Sequence, residues 1–366
     1  MRTPPGTLIL PNYNNERALP HVFAALRAYA DCSRLAFIMV DDGSEDASVA
    51  VAKTQAPACG FASCEIIERA HEGIVPTLNT ALDATRTEWI IRIDGDATVE
   101  TPGWVEMLYG LLAHDEVGAV GGHIAFPDGR VHSFGRSVCS EAGLFDMGAC
   151  PAEPIGRRTF DSLVFRPQVA FTSGPPYEVD SVLGVCVAFR TAEAKAVGGF
   201  DMRFNPVWIE DDDFGLALRR LGKRILITPD VHVVHRTNLR GTRQPGTAPG
   251  ASTRPAPGGG MPRQILARLT PPALKRARRA LLARVAPPPP PPTLEDLVPR
   301  ESDEWRIHTL RSHYAAWRDK WGFDPLNPDM TAIHARYWET ALCWRLNPGR
   351  LEASRRFLAR VATASG

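Results

Sequence analysis

Carboxylates recur along this chain at spacings that suit metal binding and proton transfer. Asp41-Asp42 closes one apolar run, and Asp94-Gly95-Asp96 closes another at residues 89–93, where only Arg92 breaks the apolar pattern. Acids gathered at a strand end need compensating charge. Mg²⁺ or Mn²⁺, held by one or two carboxylates and shared with substrate phosphates, supplies it. Turns offer the plainer account, because Asp-Gly and Asp-Gly-Ser are ordinary turn sequences. Both accounts stay open for Asp41-Asp42, whereas the position of Asp94-Gly95-Asp96 directly after a buried-type strand favours the metal there. A third cluster, Glu210-Asp211-Asp212-Asp213, precedes an amphipathic stretch at 214–221 that Gly222 closes. Acids at a helix N-terminus suit the helix dipole, yet a cap needs only one and four repel. A carboxylate crowded by others and partly desolvated gains basicity, as a general base must. His232 and His235 follow a strand-like segment at 224–228. Spacing alone does not decide whether His235 is a metal ligand or a surface or core residue.

The elements that must carry these groups alternate. Short apolar runs at 7–10, 35–40 and 89–93 and a further strand-like segment at 64–68 are separated by helical spacings at 18–30, 47–55 and 74–84, with Ser44 or Asp46 available to cap the second helix. Continuous apolar strands alternating with helices predict an α/β domain whose parallel sheet is covered on both faces. Open sheets of this kind bind ligands at the C-terminal ends of their strands, where the acids lie.

The chain has 366 residues, 44% hydrophobic and 23% charged, which excludes a wholly disordered protein. At roughly 100–200 residues per domain, about two domains are expected, or one large domain with an appendage. Its 42 basic and 41 acidic residues give a net charge of +1, an argument against a dedicated nucleic-acid binder. Seven scattered cysteines without a CxxC pair fit free thiols in a reducing cytoplasm. No apolar run approaches the ~20 residues of a membrane span, and residues 1–5 lack the features of a signal peptide. Residues 1–240 read as one domain. Beyond it come a Gly/Pro linker at 241–262, a basic helical segment at 263–286, six consecutive prolines at 287–292 in extended polyproline II, and a helical, aromatic-rich region at 293–366. The basic segment either lies on an anionic membrane or is a solvated helix beside linkers.

Taken together, the motifs resemble the family 2 glycosyltransferases of GT-A fold, bacterial type. The resemblance begins at Pro11-Asn12-Tyr13-Asn14-Asn15-Glu16 and Val40-Asp41-Asp42-Gly43-Ser44. It runs through Gly73-Ile74, Leu78-Asn79 and the D-x-D of Asp94-Gly95-Asp96. Gly198-Gly199-Phe200-Asp201, Glu210-Asp211 and His235 close it. Six motifs in order are far more specific than one D-x-D triplet, and they span about residues 6–237.

The resemblance implies a Rossmann-like nucleotide-binding sheet with an acceptor-binding subdomain, plus a C-terminal helical extension. It implies an inverting transfer of a sugar from a nucleotide diphosphate to an acceptor hydroxyl, the acceptor being a carbohydrate or lipid-linked. Pro11, Tyr13, Glu16, Asp41, Asp42, Gly73, Asn79 and Asp94 would line the nucleotide-sugar site. Asp96, His235 and Asp94 would hold Mg²⁺ or Mn²⁺, and Asp211, with Glu210 beside it, would be the base. Asp212 stands where relatives more often carry an apolar residue, so Asp212 or Asp213 could share that role. Residues 121–180, with Phe126, Phe134, Phe145, Phe160, Phe165 and Tyr177, would build the acceptor site or its core. Cell-surface polysaccharide or glycolipid synthesis is the implied setting, in the cytoplasm or at the inner face of the plasma membrane, with peripheral contact through 263–286 and no nucleic-acid partner. A catalytically inactive GT-A-like scaffold and a nucleotidyltransferase are the alternatives. Intact Asp94, Asp96, Asp211 and His235 speak against the first; the absence of a Gly-rich phosphate loop after the first strand speaks against the second. Lys320-Trp321-Gly322-Phe323-Asp324-Pro325 resembles an element that follows the catalytic domain in some bacterial members, and its aromatic content would let the tail dock back on that domain.

Overall fold

The computed structural model describes residues 6–129, 131–139, 143–146, 176–239 and 304–322. The linkers, the basic segment at 263–286, most of 293–366, and Phe160 and Phe165 lie outside the described residues.

Four strands and three helices open the chain in strict alternation: β1 (Gly6–Asn12), α1 (Leu19–Tyr29), β2 (Leu35–Asp41), α2 (Ser48–Gln55), β3 (Ser63–Glu68), α3 (Ile74–Ala84) and β4 (Trp89–Ile93). The chain continues through β5 (Ala97–Val99), α4 (Trp104–Leu112), β6 (Val117–Ala125), β7 (Val131–Ser133), β8 (Arg136–Cys139) and β9 (Gly143–Asp146). It then runs through β10 (Tyr177–Val179), β11 (Cys186–Arg190), α5 (Thr191–Ala196), α6 (Glu210–Arg220), β12 (Arg224–His235) and α7 (Glu304–Trp321).

The main sheet runs β10-β12-β6-β11-β4-β1-β2-β3, with β5 and β7 paired to β12 and β6. Its β3-β2-β1-β4 half is parallel, as expected. The other half is mixed, because β11 runs antiparallel to both β4 and β6. The apolar pattern of β11 could not reveal this, since a strand covered on both faces reads the same in either direction. The parallel half agrees with the Rossmann-like sheet that the resemblance implies, and the mixed half departs from the wholly parallel sheet read from the apolar pattern.

Side chains alternate across the sheet with period two and split its core. Leu8, Leu10, Phe37, Met39, Ile91 and Ile93 face α1, α2 and α4. Ile9, Ile38, Val40 and Ile90 face α3, α5 and α6. By the same alternation Arg92 falls on the α6 side, which decides its role below. In the middle region, Phe134 stacks on His123 at 3.8 Å between centroids, and the Tyr177 hydroxyl donates to the Phe134 carbonyl at 2.8 Å. Burial holds the His123 pKa down at about 4. These aromatics build core around a neutral histidine. Helix α7 packs on α6 through Leu310, Tyr314, Trp317 and Trp321 against Phe204, Ile209, Leu216 and Ala217, so this part of the tail does dock back. Among the described residues, no helix is long and apolar enough to cross a membrane.

Candidate active site

Sheet register assembles the first half of the site. The turn Asp94-Gly95-Asp96 follows β4, and the chain reverses into β5, which pairs antiparallel with the end of β12 so that Ala97 lies opposite His235. Asp96, one residue before Ala97, is thereby brought against His235, with Nε2 3.2 Å from Asp96 Oδ1. The Arg236 amide donates to the Asp96 carbonyl at 2.7 Å and closes the corner. One ligand atom from each of Asp94, Asp96 and His235 lies within 4.8 Å of the others. Two carboxylates and an imidazole gathered so closely are a donor set that Mn²⁺ or Mg²⁺ accepts, so the residues present fit the expected cation. His235 Nδ1 lies 2.9 Å from His132 Nδ1, a contact that holds the ring with Nε2 toward the acids.

The second half comes from α6. Its first turn is Glu210-Asp211-Asp212-Asp213, so the acids are part of the helix and do not precede it. Trp208 and Ile209, just before it, both adopt positive φ, 75° and 72°. That conformation is an outlier for a β-branched residue and a place where functional sites store strain. The four acids point in different directions. Asp212 is fully buried, bonded to Arg136 Nη1 at 2.6 Å and to the Ser181 hydroxyl at 2.5 Å. Asp213 receives Lys320 Nζ at 2.7 Å and Trp321 Nε1 at 2.8 Å. Both are committed to holding neighbouring segments, leaving Glu210 and Asp211 on the site.

Arg92 joins the halves. Its guanidinium, 3% exposed, lies 2.6 Å from Asp211 Oδ1, donates to Asp94 Oδ1 at 3.1 and 3.3 Å, and lies 4.0 Å from Glu210 Oε1. Asp211 Oδ2 accepts the Gly184 amide at 2.7 Å. Burial, and then the charge of Asp211, drive the Glu210 pKa well up, against the pull of Arg92. Glu210 Oε2 is buried with no hydrogen-bond partner among the described residues. A buried cation flanked by three carboxylates fixes how far the metal-type acids and the α6 acids stand from each other. The sequence reading passed over Arg92 as an interruption of an apolar strand. A charged residue at a position buried on both faces was the available signal.

Gly184 makes that packing possible. A Cβ there would sit 2.0 Å from Arg92 Nη1 and 2.1 Å from Cζ. Gly184→Ala is therefore expected to displace the guanidinium, release Asp211, and lower turnover by roughly 10²-fold, the order that a 1 Å misplacement of reacting groups can cost. Steady-state kinetics on the folded variant checks this.

The residues expected around the nucleotide form a third region beyond β1, β2 and β3. Tyr13 stacks on His71 with centroids 4.1 Å apart, and His71 Nδ1 lies 2.7 Å from Asp42 Oδ2. Asp42 also accepts the amides of Glu72 and Gly73 at 3.0 and 2.9 Å, and Gly73 adopts φ 110°. Tyr13, Asp42 and Gly73 are thus brought together, with His71 as a member that sequence reasoning missed. Asp41 is a buried tie that accepts from Asn12 Nδ2 at 2.7 Å and from the Ser44 hydroxyl at 2.6 Å. Gly95 packs this corner against the acidic turn, since a Cβ on it would meet Asn15 and Asn12 within 2.9 Å.

Other expected residues have structural partners of their own. Pro11 is a buried strand residue opposite Val40. Glu16 accepts the Ala47 amide at 3.0 Å at the start of α2. Both amide atoms of Asn79 are spent on Phe200, donating to its carbonyl at 2.8 Å and accepting from its amide at 2.9 Å.

Residues 7–170 match the family model described as glycosyl transferase family 2. That stretch, a little under half of the chain, is similar to the family 2 glycosyltransferases. Among curated proteins, the chain is 29% identical over 168 residues to the O-antigen biosynthesis protein RfbC of Myxococcus xanthus, a match that takes in 45% of this chain and 12% of that protein. The chain thus spans a small fraction of that relative's length. Among solved structures, it is similar to GalNAc-T7 with UDP, GalNAc and Mn²⁺, at 12% identity and a TM-score of 0.49, covering 64% of this chain and 44% of that one. It is also similar to the mannosyltransferase PcManGT from Pyrobaculum calidifontis in complex with GDP-Man and Mn²⁺. That match has 18% identity and a TM-score of 0.46, covering 99% of this chain and 86% of that one.

Proposed function

We propose that this protein transfers a sugar from a nucleotide diphosphate to an acceptor hydroxyl with inversion at the anomeric carbon. The observation that carries the reading is the pair of acidic centres bridged by Arg92, with Asp94, Asp96 and His235 on one side and Glu210 and Asp211 on the other. Asp94, Asp96 and His235 would hold Mn²⁺ or Mg²⁺, which supplies Lewis-acid stabilisation of the departing diphosphate. Tyr13, His71 and Asp42 would receive the nucleotide base, the stacked rings offering an apolar face and Asp42 a polar edge. The acceptor hydroxyl, a poor nucleophile near neutral pH, would give its proton to Asp211. Arg92 and the Gly184 amide orient that carboxylate. Attack from the side opposite the leaving group inverts the carbon in one step, so no nucleophilic side chain is required.

The family resemblance and the name of the Myxococcus relative support surface polysaccharide or glycolipid synthesis as the setting. A lipid-linked acceptor would give the basic segment at 263–286 a purpose at the inner face of the plasma membrane. Calorimetric titration with UDP, GDP and dTDP, each with and without Mn²⁺, tests the donor site. Metal-dependent binding of one nucleotide is expected and would name the donor class. Absence of binding in folded protein would favour an inactive scaffold, and release of pyrophosphate instead of a nucleoside diphosphate would favour a nucleotidyltransferase.

A further inference from the structure

The element Lys320-Trp321-Gly322 ends α7, and its two polar side chains converge on one carboxylate of the helix that carries the acid pair. Lys320 Nζ bridges Asp213 Oδ2 at 2.7 Å and Asp201 Oδ2 at 2.8 Å, while Trp321 Nε1 donates to Asp213 Oδ1 at 2.8 Å. Asp213 is 1% exposed, so both of its oxygens are occupied in a buried setting by residues more than a hundred positions away. It lies in the same first turn of α6 as Glu210 and Asp211.

The neighbouring contacts repeat this connection. Arg203 contacts both Asp201 and Asp319, at 2.8 and 3.1 Å. Trp208 lies 5.6 Å from Trp305 between ring centroids, and Ile209 packs in the α7 cluster. Trp208 and Ile209 are also the two residues with positive φ immediately before Glu210. A backbone held in that region persists only where surrounding contacts over-determine it, and here α7 supplies contacts on both sides of the strained step. The rest of α6 is fixed from the sheet side by Phe214 and Leu218 and packs on its other side against α7 through Leu216 and Ala217. The first turn additionally depends on the tail.

Resting on the glycosyltransferase reading above, we infer that Lys320 and Trp321 are positioning residues, which hold the first turn of α6 through Asp213 so that Glu210 and Asp211 face Arg92 and the acceptor. The catalytic centre is then completed by a segment that lies beyond the family-matched residues 7–170 and beyond the linkers. Asp213 acts as the receiving group. Burial raises its pKa to about 6 despite Lys320, so removing either donor leaves a carboxyl poorly matched to its site.

The test uses the full chain. Trp321→Phe keeps the ring in the apolar cluster and removes the donor, and Lys320→Gln removes the charge. Each is expected to lower kcat by tenfold or more, with the donor KM and the Mn²⁺-dependent nucleotide Kd changed less than twofold. Lys320→Arg is expected to restore most of the loss. Hydrogen exchange provides a readout that needs no turnover: amides of residues 209–214 should exchange faster in Trp321→Phe and Lys320→Gln, while those of β1, β2 and β4 remain as in the parent. Unchanged kcat per folded molecule, or unchanged protection at 209–214, overturns the inference. A parent protein that neither binds a nucleotide nor transfers a sugar overturns the glycosyltransferase reading instead, and the exchange data then decide the clamp alone.

Discussion

Asp211→Asn is expected to lower turnover by roughly 10²–10⁴-fold, the usual contribution of a positioned general base, while Mn²⁺-dependent nucleotide affinity stays near that of the parent. The reason lies in what surrounds the carboxylate. Asp211 accepts from Arg92 Nη1 at 2.6 Å and from the Gly184 amide at 2.7 Å, one bond on each oxygen. An amide of the same shape would set its NH₂ against one of these donors, so the side chain would lose a bond and could no longer take a proton. Leaving a buried donor unmatched costs about 1–3 kcal/mol, so some loss of stability accompanies the change, and rates must be referred to folded protein. Glu210→Gln is the informative partner. Burial and the charge of Asp211 already favour the protonated form of Glu210, so its amide should be the better tolerated of the two. Loss of turnover in Glu210→Gln with retention in Asp211→Asn would transfer the base role to Glu210.

Asp96→Ala is expected to remove both turnover and the metal dependence of nucleotide binding. Lewis-acid stabilisation of a leaving diphosphate is worth several kcal/mol, and each 1.36 kcal/mol is tenfold in rate, so a loss of about 10³-fold follows. Asp96 is 1% exposed and lies against His235. Its removal also takes away a carboxylate that faces Nε2 of that imidazole. Asp94 is held by Arg92 through Oδ1, so it should keep its place when Asp96 is replaced. Calorimetry with and without Mn²⁺, alongside a thermal melt, separates lost metal binding from lost folding. Metal-dependent binding that survives in Asp96→Ala would place the cation elsewhere.

Both predictions concern residues legible before any coordinates. Asp94, Asp96, Asp211 and His235 stand in ordered motifs, because strand ends and helix starts are where turn chemistry and functional side chains coincide. The alternation of apolar runs and helical spacings was likewise enough for a parallel sheet with covering helices, though not for its strand order, since local periodicity reports which face each segment buries and not which strands are neighbours. Tertiary structure decided how the remainder serves the site. The antiparallel course of β11 and the pairing of β5 with β12 are long-range register choices that no local pattern encodes, yet they bring His235 to Asp96.

The four adjacent acids of α6 look equivalent in sequence, but helical geometry sends them apart. Asp212 goes to Arg136 and Ser181, Asp213 goes to α7, and only Glu210 and Asp211 turn toward Arg92. Arg92 itself was visible as a lone charge in an apolar strand. What it neutralises depended on where α6 docks, and that is settled by the packing of Phe214 and Leu218 on the sheet. Sequence by itself determined the kinds of chemical group and the elements that present them. Packing alone determined which of those groups meet, because a buried charge takes its function from the partners that compensate it.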